Sequence, residues 1–418
     1  MSILDALQAK VNAVDSSTAM SEILQLMYNV KDHPYKNQYD SAGLMPLDSA
    51  FIGSMAYAEN RNAMYMLVGI DSGWKLIDSD AATAVAPSGP SAMTQGSNYG
   101  YLAGSGYGPP SNTDVIQKYS FTSDANSTDV GNLTVAQGGA GGGASSPSDG
   151  YYYGGTATGS PYPSQIEIYA FPSDGNATDA GDLATSFDFG ASSYDGTHGY
   201  HAGGRDQSGG HPSYKLNAIS RFPLASSGIS GSDVGDLFDY TRYNAGNSSS
   251  THGYSFGGQL TPPNPNTDHT RIEKFLFAAS ANATDVGDMS DVPGSSNGYL
   301  YATNNLQSDT HGYTAGGWRR GPPNVVSEEI QKWPFATDTN ASDVGDLVTN
   351  PESIPGGLQD VGGGTSSTTH GYVAGGHGQT SGNGVNIIQK FTFASDANAT
   401  DVGDLLAATY IGGSGAQY

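Results

Sequence analysis

The chain reads THGYVAGGHGQTSGNGVNIIQKFTFASDANATDVGDL from Thr369 to Leu405, and diverged copies of this stretch occur five more times upstream. Each copy contains three phrases in the same order. The first is a Gly-Tyr phrase, which begins at Gly100, Gly150, Gly199, Gly253, Gly312 and Gly371. The second runs apolar-polar-basic-aromatic from Ile116, Ile166, Ile219, Ile272, Ile330 and Ile388. The third closes on DVGDL or a variant of it, from Asp129, Asp179, Asp233, Asp285, Asp343 and Asp401.

Self-similarity at a period of about 50 residues, with several short strands per unit, is typical of a β-propeller. One such unit cannot bury its own faces, so the units must pack around an axis. We therefore predict a mainly β fold with six blades of four strands, named a to d. A segment such as Thr241 to Ser250 forms strand a, the Gly-Tyr phrase strand b and the Ile phrase strand c, and DVGDL opens strand d.

Two details of the repeats predict local geometry. Paired glycines follow strand b, where a positive φ or a close neighbour is expected, at Gly203-Gly204, Gly257-Gly258, Gly316-Gly317 and Gly375-Gly376. The tail from Ala408 to Gly415 aligns with the strand a segment Thr241 to Ser248, but no strand b follows it. We expect this tail to become the innermost strand of the blade that contains Gly100, which removes an open sheet edge.

The sequence before the repeats differs in character. Residues 1–33 are predicted to be a helical anchor with short amphipathic helices at Ser2–Ala13 and Thr18–Asn29. Their apolar face includes Leu4, Leu7, Val11, Ile23, Leu24 and Met27. These helices pack either on the adjacent β module or on another subunit. Residues 34–82 are predicted to be a small three-stranded β-meander, and residues 83–418 the propeller.

Composition excludes several classes of function. The chain has 418 residues with 59 Gly and no Cys, so neither disulfides nor thiolate metal sites can form. Sixteen Lys and Arg face 40 Asp and Glu, and a net charge of −24 argues against nucleic-acid binding. We find no export signal and no 18-residue apolar run, so we predict neither secretion nor membrane insertion.

Three recurring polar features have structural explanations. The turn with Asp396, Asn398, Thr400 and Asp401 resembles the start of a calcium loop, but the Gly and distant Glu of an EF-hand are missing. We favour Asx-turns and caps, with Ca²⁺ as the alternative. Glycosylation sequons occur at copies of this turn, at Asn126, Asn176, Asn282, Asn340 and Asn398. Histidines precede Gly-Tyr at His198, His252, His311 and His370, where hydrogen bonding is favoured over a metal ring.

Residues outside the repeat pattern give no catalytic constellation. The candidates are His211, His269, Glu328, Glu329, His377 and the pair Arg319-Arg320, and no cofactor or metal is predicted. The c–d turns are nearly constant, whereas the b–c loops differ in every blade. Neutral loop drift without a ligand is one explanation of this variation. The other explanation is that these loops bind a partner through their bulky side chains, which are Tyr107, Tyr162, Tyr214, Trp318, Arg319 and Arg320.

The Gly pair after strand b and the aromatic residue on strand c resemble the kelch family of propellers, although DVGDL replaces the kelch Trp on strand d. The repeat phrase, together with the module from Pro46 to Asp78, is similar to virion proteins of marine tailed bacteriophages. That resemblance implies a non-enzymatic fibre, spike or decoration protein on the virion. Its partners would be other virion proteins, bound by the N-terminal helices, and a host-surface glycan or protein. It would be a homo-oligomer exposed on the particle.

Two other classes of function remain open. One is a carbohydrate-active propeller enzyme, which would need an acidic pair in one varied pocket. The other is a free lectin-like bacterial propeller, which would need an export route. The sequence favours the virion structural protein over both.

Overall fold

The computed structural model describes residues 55–58, 63–69, 73–76, 95–106, 112–157, 164–206, 216–260, 270–290, 300–301, 306–319, 325–349, 358–378, 384–409 and 414–418. Within these ranges the chain is mainly β, as predicted, and contains no helix. The two predicted N-terminal helices and their six apolar residues lie outside the described residues. Contacts divide the chain into two units, Met1–Gly89 and Pro90–Tyr418.

The first unit contains the predicted meander. Its strands are β1 (Met55–Ala58), β2 (Ala63–Gly69) and β3 (Gly73–Leu76), which pair antiparallel in that order. A polar turn sequence separates β1 from β2, and Asp71-Ser72-Gly73 leads into β3.

The second unit holds all six repeats. The strands of the first two are β4 (Tyr99–Ser105), β5 (Thr113–Ser120), β6 (Thr128–Ser145), β7 (Asp149–Ala157), β8 (Gln165–Ala170) and β9 (Thr178–Asp182). The third contributes β10 (Ala191–Tyr194), β11 (His198–Ala202), β12 (Leu216–Pro223), β13 (Ile229–Ser230) and β14 (Ser232–Arg242). The fourth contributes β15 (Ala245–Ser248), β16 (His252–Phe256), β17 (Gln259–Leu260), β18 (Arg271–Leu276) and β19 (Thr284–Asp288).

The remaining strands follow the same order. The fifth repeat has β20 (Leu300–Tyr301), β21 (Leu306–Gln307), β22 (His311–Ala315), β23 (Trp318–Arg319), β24 (Val325–Val326), β25 (Glu329–Pro334) and β26 (Ser342–Asp346). The sixth has β27 (Leu358–Ser366), β28 (His370–Gly378), β29 (Gly384–Thr392) and β30 (Thr400–Thr409). The last strand is β31 (Ser414–Gln417).

The prediction of six separate four-stranded blades is corrected to four. Repeats three to six each form their own sheet, built on β10-β11-β12-β14, β15-β16-β18-β19, β21-β22-β25-β26 and β27-β28-β29-β30. Repeats one and two instead share one eight-stranded sheet. The reason is β6, which runs without a break from Thr128 to Ser145 and pairs with β5 through its first part and with β7 through its second.

The innermost strands of the unit contact one another in a closed cycle, from β31 through β6, β10, β15, β21 and β27 back to β31. The closing strand pairs antiparallel with β4, with Ser414 opposite Ala103 and Gln417 opposite Gly100. This confirms that the C-terminal tail completes the first repeat. The predicted bounds, Ala408 to Gly415, were wrong, because the strand begins at Ser414.

The DVGDL phrase forms the contacts between neighbouring repeats, which we call the seams. In the seam between repeats six and one, the Asp404 N–H donates to Asn126 Oδ1 at 3.0 Å, and the Ser127 N–H donates to the Asp404 carbonyl at 2.8 Å. A Cβ on Gly403 would lie 2.5 Å from the Ala125 carbonyl oxygen, so only glycine allows this approach. Equivalent Asn–backbone bonds, at Asn176, Asn282, Asn340 and Asn398, join four other pairs of repeats.

These bonds give the sequon Asn and the Asp of DVGDL their structural roles. Asp401 Oδ1 accepts the Gly403 N–H at 3.2 Å within its own turn, which confirms the predicted Asx geometry. The seam between repeats two and three is different, because the third repeat has no such Asn. There, β13 pairs in parallel with β9 through Ile229 and Gly181.

Polar side chains at the ends of the innermost strands bond to one another around the axis. Gln417 lies at the centre of this network: its amide donates to Tyr194 Oη at 2.5 Å and its Oε1 accepts the Ser366 N–H at 2.9 Å. The Gln417 N–H donates to Ser145 Oγ at 2.9 Å. All four residues are buried. Hydrogen-bonded side chains therefore occupy the axis at the end of the repeats where strands a lead into strands b.

The paired glycines confirm the prediction of positive φ. Gly203 and Gly204 have φ of 70° and 96°, and Gly257 and Gly258 have 64° and 99°. The remaining two pairs are also positive at both members. The chain therefore turns out of strand b through a conformation that residues with a Cβ rarely adopt.

Antiparallel order assigns the connections to two faces. The a–b and c–d turns share one face, the turn face, and the b–c and d–a connections share the other, the loop face. The chain enters the unit at the turn face: the Gly96 N–H donates to the Ser366 carbonyl at 2.7 Å, and the Gln95 amide donates to the carbonyls of Gln307 and Ser367. This agrees with the predicted point of entrance beside the a–b turns.

Candidate recognition site

The sequence suggested six side chains of the b–c loops for recognition. Trp318 and Arg319 form β23, whose backbone pairs with β20 on one side and β24 on the other. Tyr107, Tyr162, Tyr214 and Arg320 lie outside the described residues. The described part of this face therefore does not bring the predicted set together. It reveals a different cluster, which sequence reasoning missed.

This cluster lies on the loop face of repeats three and four. Phe189 and Tyr243 occupy the same place in consecutive repeats, two residues before β10 and β15. Both have left-handed backbones, with φ of 54° and 62°, and their rings are 4.3 Å apart. The Tyr243 N–H donates to the Phe189 carbonyl at 2.7 Å. A left-handed aromatic residue costs about 1–3 kcal/mol, and such strain is concentrated at functional sites.

A buried ion pair supports the cluster from one side. The carboxylate of Asp188 is fully buried, and both its oxygens accept hydrogen bonds from Arg205, with Nε to Oδ1 at 2.9 Å. The two backbones also pair, since the Arg205 N–H donates to the Asp188 carbonyl at 2.8 Å. Burial raises the pKa of Asp188, while the hydrogen bond and charge of Arg205 oppose that shift. The guanidinium of Arg205 lies 5.2 Å from the Phe189 ring centre.

Arg242 is the second cation of the cluster. Its Nε donates to Gln259 Oε1 at 2.8 Å, and the backbones of these two residues pair where β14 meets β17. The guanidinium carbon lies 5.0 Å from the Tyr243 ring centre. Arg242 and Tyr243 are both half-buried, so each presents part of its side chain to solvent.

A buried histidine lies beneath these residues. His201 Nε2 bonds the Gly203 carbonyl at 2.6 Å, and the imidazole stacks on Phe187. Burial lowers the pKa of His201 to about 3, so the ring is neutral at ordinary pH. A neutral imidazole held by a backbone carbonyl supports the packing beneath the cluster.

We expect acidification from pH 7 to pH 4 to lower the free energy of unfolding. The unfolded state binds a proton on His201 near pH 6.5, whereas the folded state does so only near pH 3. The stability that depends on neutral His201 is therefore present above pH 6.5 and lost as the pH falls toward 3, at about 1.4 kcal/mol per pH unit.

His201→Leu is the matched variant, because Leu102 occupies the equivalent place in the first repeat. Urea unfolding at several pH values should show a shallower pH dependence for the variant. Identical slopes in the two proteins would contradict the buried neutral state of His201. His252, His311 and His370, whose pKa values are lowered by burial and by a nearby Lys, contribute to the slope in both proteins.

The four repeated histidines bond their own turns, as the sequence indicated. His252 Nδ1 lies 2.8 Å from Thr251 Oγ1, and the His252 N–H donates to Ser249 Oγ at 2.9 Å. The other three have the same threonine contact at 2.8 to 3.0 Å. Among the described residues, no group of three His, Cys, Asp or Glu side chains is placed to hold a metal ion.

Comparison with known proteins does not identify a family. No protein-family model matches the sequence, and no curated protein is similar to it. The described residues include no helix that is long and apolar enough to cross a membrane.

The side chains of the cluster are suited to binding a partner rather than to catalysis. Arg205 engages both oxygens of Asp188, and the carboxylate is buried, so it is not placed to act as a general base. Parts of the Arg242 and Tyr243 side chains reach the surface. The Tyr243 backbone that holds them is strained by its positive φ and hydrogen-bonded to Phe189. Arg and Tyr dominate the binding energy of many interfaces.

Proposed function

We propose that the protein is a non-enzymatic virion structural protein whose propeller binds a partner through its loop face. The observation that carries the binding role is the cluster of Phe189, Arg205, Arg242 and Tyr243, with its two left-handed aromatic residues. The virion context, the exposure on the particle and the kelch-like character rest on the sequence resemblance. No nucleic acid, membrane or cofactor takes part.

Every repeat contributes one strand to the closed cycle of innermost strands. Six seams join the repeats, five through an Asn and one through β13. Attachment would occur through residues 1–82, because the chain enters the propeller unit beside the turn face, opposite the proposed binding face.

Binding of the labelled full-length protein to host cells tests the recognition role. Tyr243→Ala should reduce binding about 10-fold or more, because an aromatic anchor at an interface contributes roughly 2 kcal/mol. The matched control is Tyr99→Ala on the turn face, where Tyr99 is 37% exposed. Equal binding by both variants would exclude the loop-face cluster as the recognition site.

Particle assembly tests the attachment role. A fusion of residues 1–82 to an unrelated domain should join the particle, whereas residues 83–418 alone should not. Normal incorporation of the isolated propeller would contradict the display arrangement.

A further inference from the structure

The terminal amino groups of Arg242 suggest the chemistry of the ligand, provided that the loop face is the binding face proposed above. Only Nε of this guanidinium is engaged within the described residues, by Gln259 Oε1 at 2.8 Å. The bond to Gln259 and the contact with Tyr243 hold the guanidinium in place. Among the described residues its two terminal amino groups have no hydrogen-bond acceptor, and they form a planar pair of donors. Such a pair matches the two oxygens of a carboxylate.

The local charge balance also favours an anionic group at Arg242. Asp188 lies nearby and is the acid that would otherwise neutralise this cation, but both of its oxygens are bound to Arg205. Two cations, Arg205 and Arg242, therefore face one buried carboxylate, on a protein of net charge −24. That net charge disfavours a polyanion approaching from a distance, so a ligand with isolated acidic groups fits better.

The surroundings of Arg242 favour a sugar over a protein surface. The exposed large apolar side chains of the described residues are Tyr99, Val135, Phe238, Tyr240, Leu276 and Leu406, and none of them belongs to the cluster. A protein partner would need a larger apolar centre to its interface. The cluster offers one partly exposed aromatic ring beside one cation, which suits a pyranose with an apolar C–H face and a carboxylate.

We propose that Arg242 and Tyr243 form a subsite for a carboxylated sugar residue of a glycan. The carboxylate accepts two hydrogen bonds from the terminal amino groups of Arg242, and the apolar face of the sugar packs on Tyr243. Phe189 supports the Tyr243 ring from the adjacent repeat, and Gln259 fixes the direction of the guanidinium.

Isothermal titration of the full-length protein with cellobiouronate, a disaccharide of glucuronic acid and glucose, tests the subsite. Its methyl ester keeps the shape without the charge and should bind about 10-fold more weakly or worse, since hydrogen bonds to a charged group are lost. Lactate carries one carboxylate without a sugar and should bind more weakly than cellobiouronate. Absence of cellobiouronate binding, equal binding of the ester, or equal binding of lactate would each overturn the proposal.

Two variants of Arg242 separate the effects of charge and geometry. Arg242→Gln removes the cation, and Arg242→Lys keeps it but loses the planar pair of donors, so both should weaken cellobiouronate binding by about 10-fold. Arg221→Gln removes the same charge from strand β12 outside the cluster and should bind like the native protein. Wild-type affinity in a folded Arg242→Lys variant would overturn the bidentate geometry.

Host-cell binding distinguishes this inference from the function on which it rests. If both Tyr243→Ala and Arg242→Gln lower cell binding, the carboxylated-sugar subsite is supported. Loss with Tyr243→Ala alone overturns the carboxylate inference and leaves the recognition face standing. No loss with either variant overturns the proposed function itself.

Discussion

Deleting Ser414 to Tyr418 should lower the free energy of unfolding by on the order of 5 kcal/mol, because it removes β31 and several buried hydrogen bonds together. The deletion leaves β4 with an unpaired edge and leaves Ser145, Tyr194 and the Ser366 backbone without their bonds to Gln417. It also removes the Tyr418 carbonyl, which accepts the N–H groups of three successive residues from Ser97 to Tyr99. Urea unfolding measures the loss.

A milder variant separates the contribution of the β31 backbone from that of the Gln417 side chain. Gln417→Ala keeps the backbone ladder of β31 but removes the bonds to Tyr194 and the Ser366 N–H, so it should cost about 2–3 kcal/mol. If the truncated protein unfolded at the same urea concentration as the intact one, β31 would not be closing the ring in solution.

Arg205→Met should destabilise the propeller by about 3–5 kcal/mol, because it leaves the carboxylate of Asp188 buried without its partner. The Arg205 side chain is 20% exposed and Asp188 is 0% exposed, so solvent cannot replace the lost guanidinium. The double variant Asp188→Asn with Arg205→Met removes the charge as well. It should recover most of the loss, since a neutral pair of similar size carries no uncompensated charge.

Thermal and urea unfolding of the four proteins of this cycle measure the coupling between the two residues. If Arg205→Met lowered the free energy of unfolding no more than the double variant does, the ion pair would not stabilise the fold. Because Arg205 also lies against Phe189, the same cycle tests whether the pair holds the strained aromatic backbone in place.

The sequence predicted much of the propeller because the repeats carry their own constraints. Copies of DVGDL and its Asn turn predicted Asx geometry, and Asp401 and Gly403 have it. A sequence cannot show that the Asn side chain bonds the neighbouring repeat, since Asn126 and Asp404 are 278 residues apart. Nor did it reveal the fusion of two repeats, because the Gly-rich stretch after Leu133 resembles a loop while β6 continues through it.

The bounds of the closing strand were predicted wrongly because they came from aligning two short, weakly similar segments. Thr409 pairs with Val385 as Thr241 pairs with Leu216, so these threonines are equivalent. Residues 410–413 then separate Thr409 from β31, whereas only residues 242–244 separate Thr241 from β15. The prediction aligned Ala408, not Thr409, with Thr241, so this one-residue shift and the one extra residue together place β31 two residues later than the alignment indicated.

The recognition cluster was missed because its members are scattered along the chain. Asp188 and Arg205 are 17 residues apart, and only the folded sheet brings them together. One signal was present: the segment before strand a is Gly-rich in the second repeat, but reads Phe-Asp-Phe from Phe187 and Thr-Arg-Tyr from Thr241. Bulky residues at positions where another repeat has glycine indicate that these side chains have a role specific to repeats three and four.

The closing strand also orders the events of folding. Gln417 bonds Ser145 across 272 residues of sequence, so this contact carries one of the largest loop-closure entropies in the chain. Repeats two to five can pair their own strands soon after synthesis. In contrast, β4 cannot pair with β31 until the last residues of the chain have been synthesised. Closure should therefore be the slow phase of refolding, and until it occurs the exposed edge of β4 is where nascent chains would associate wrongly.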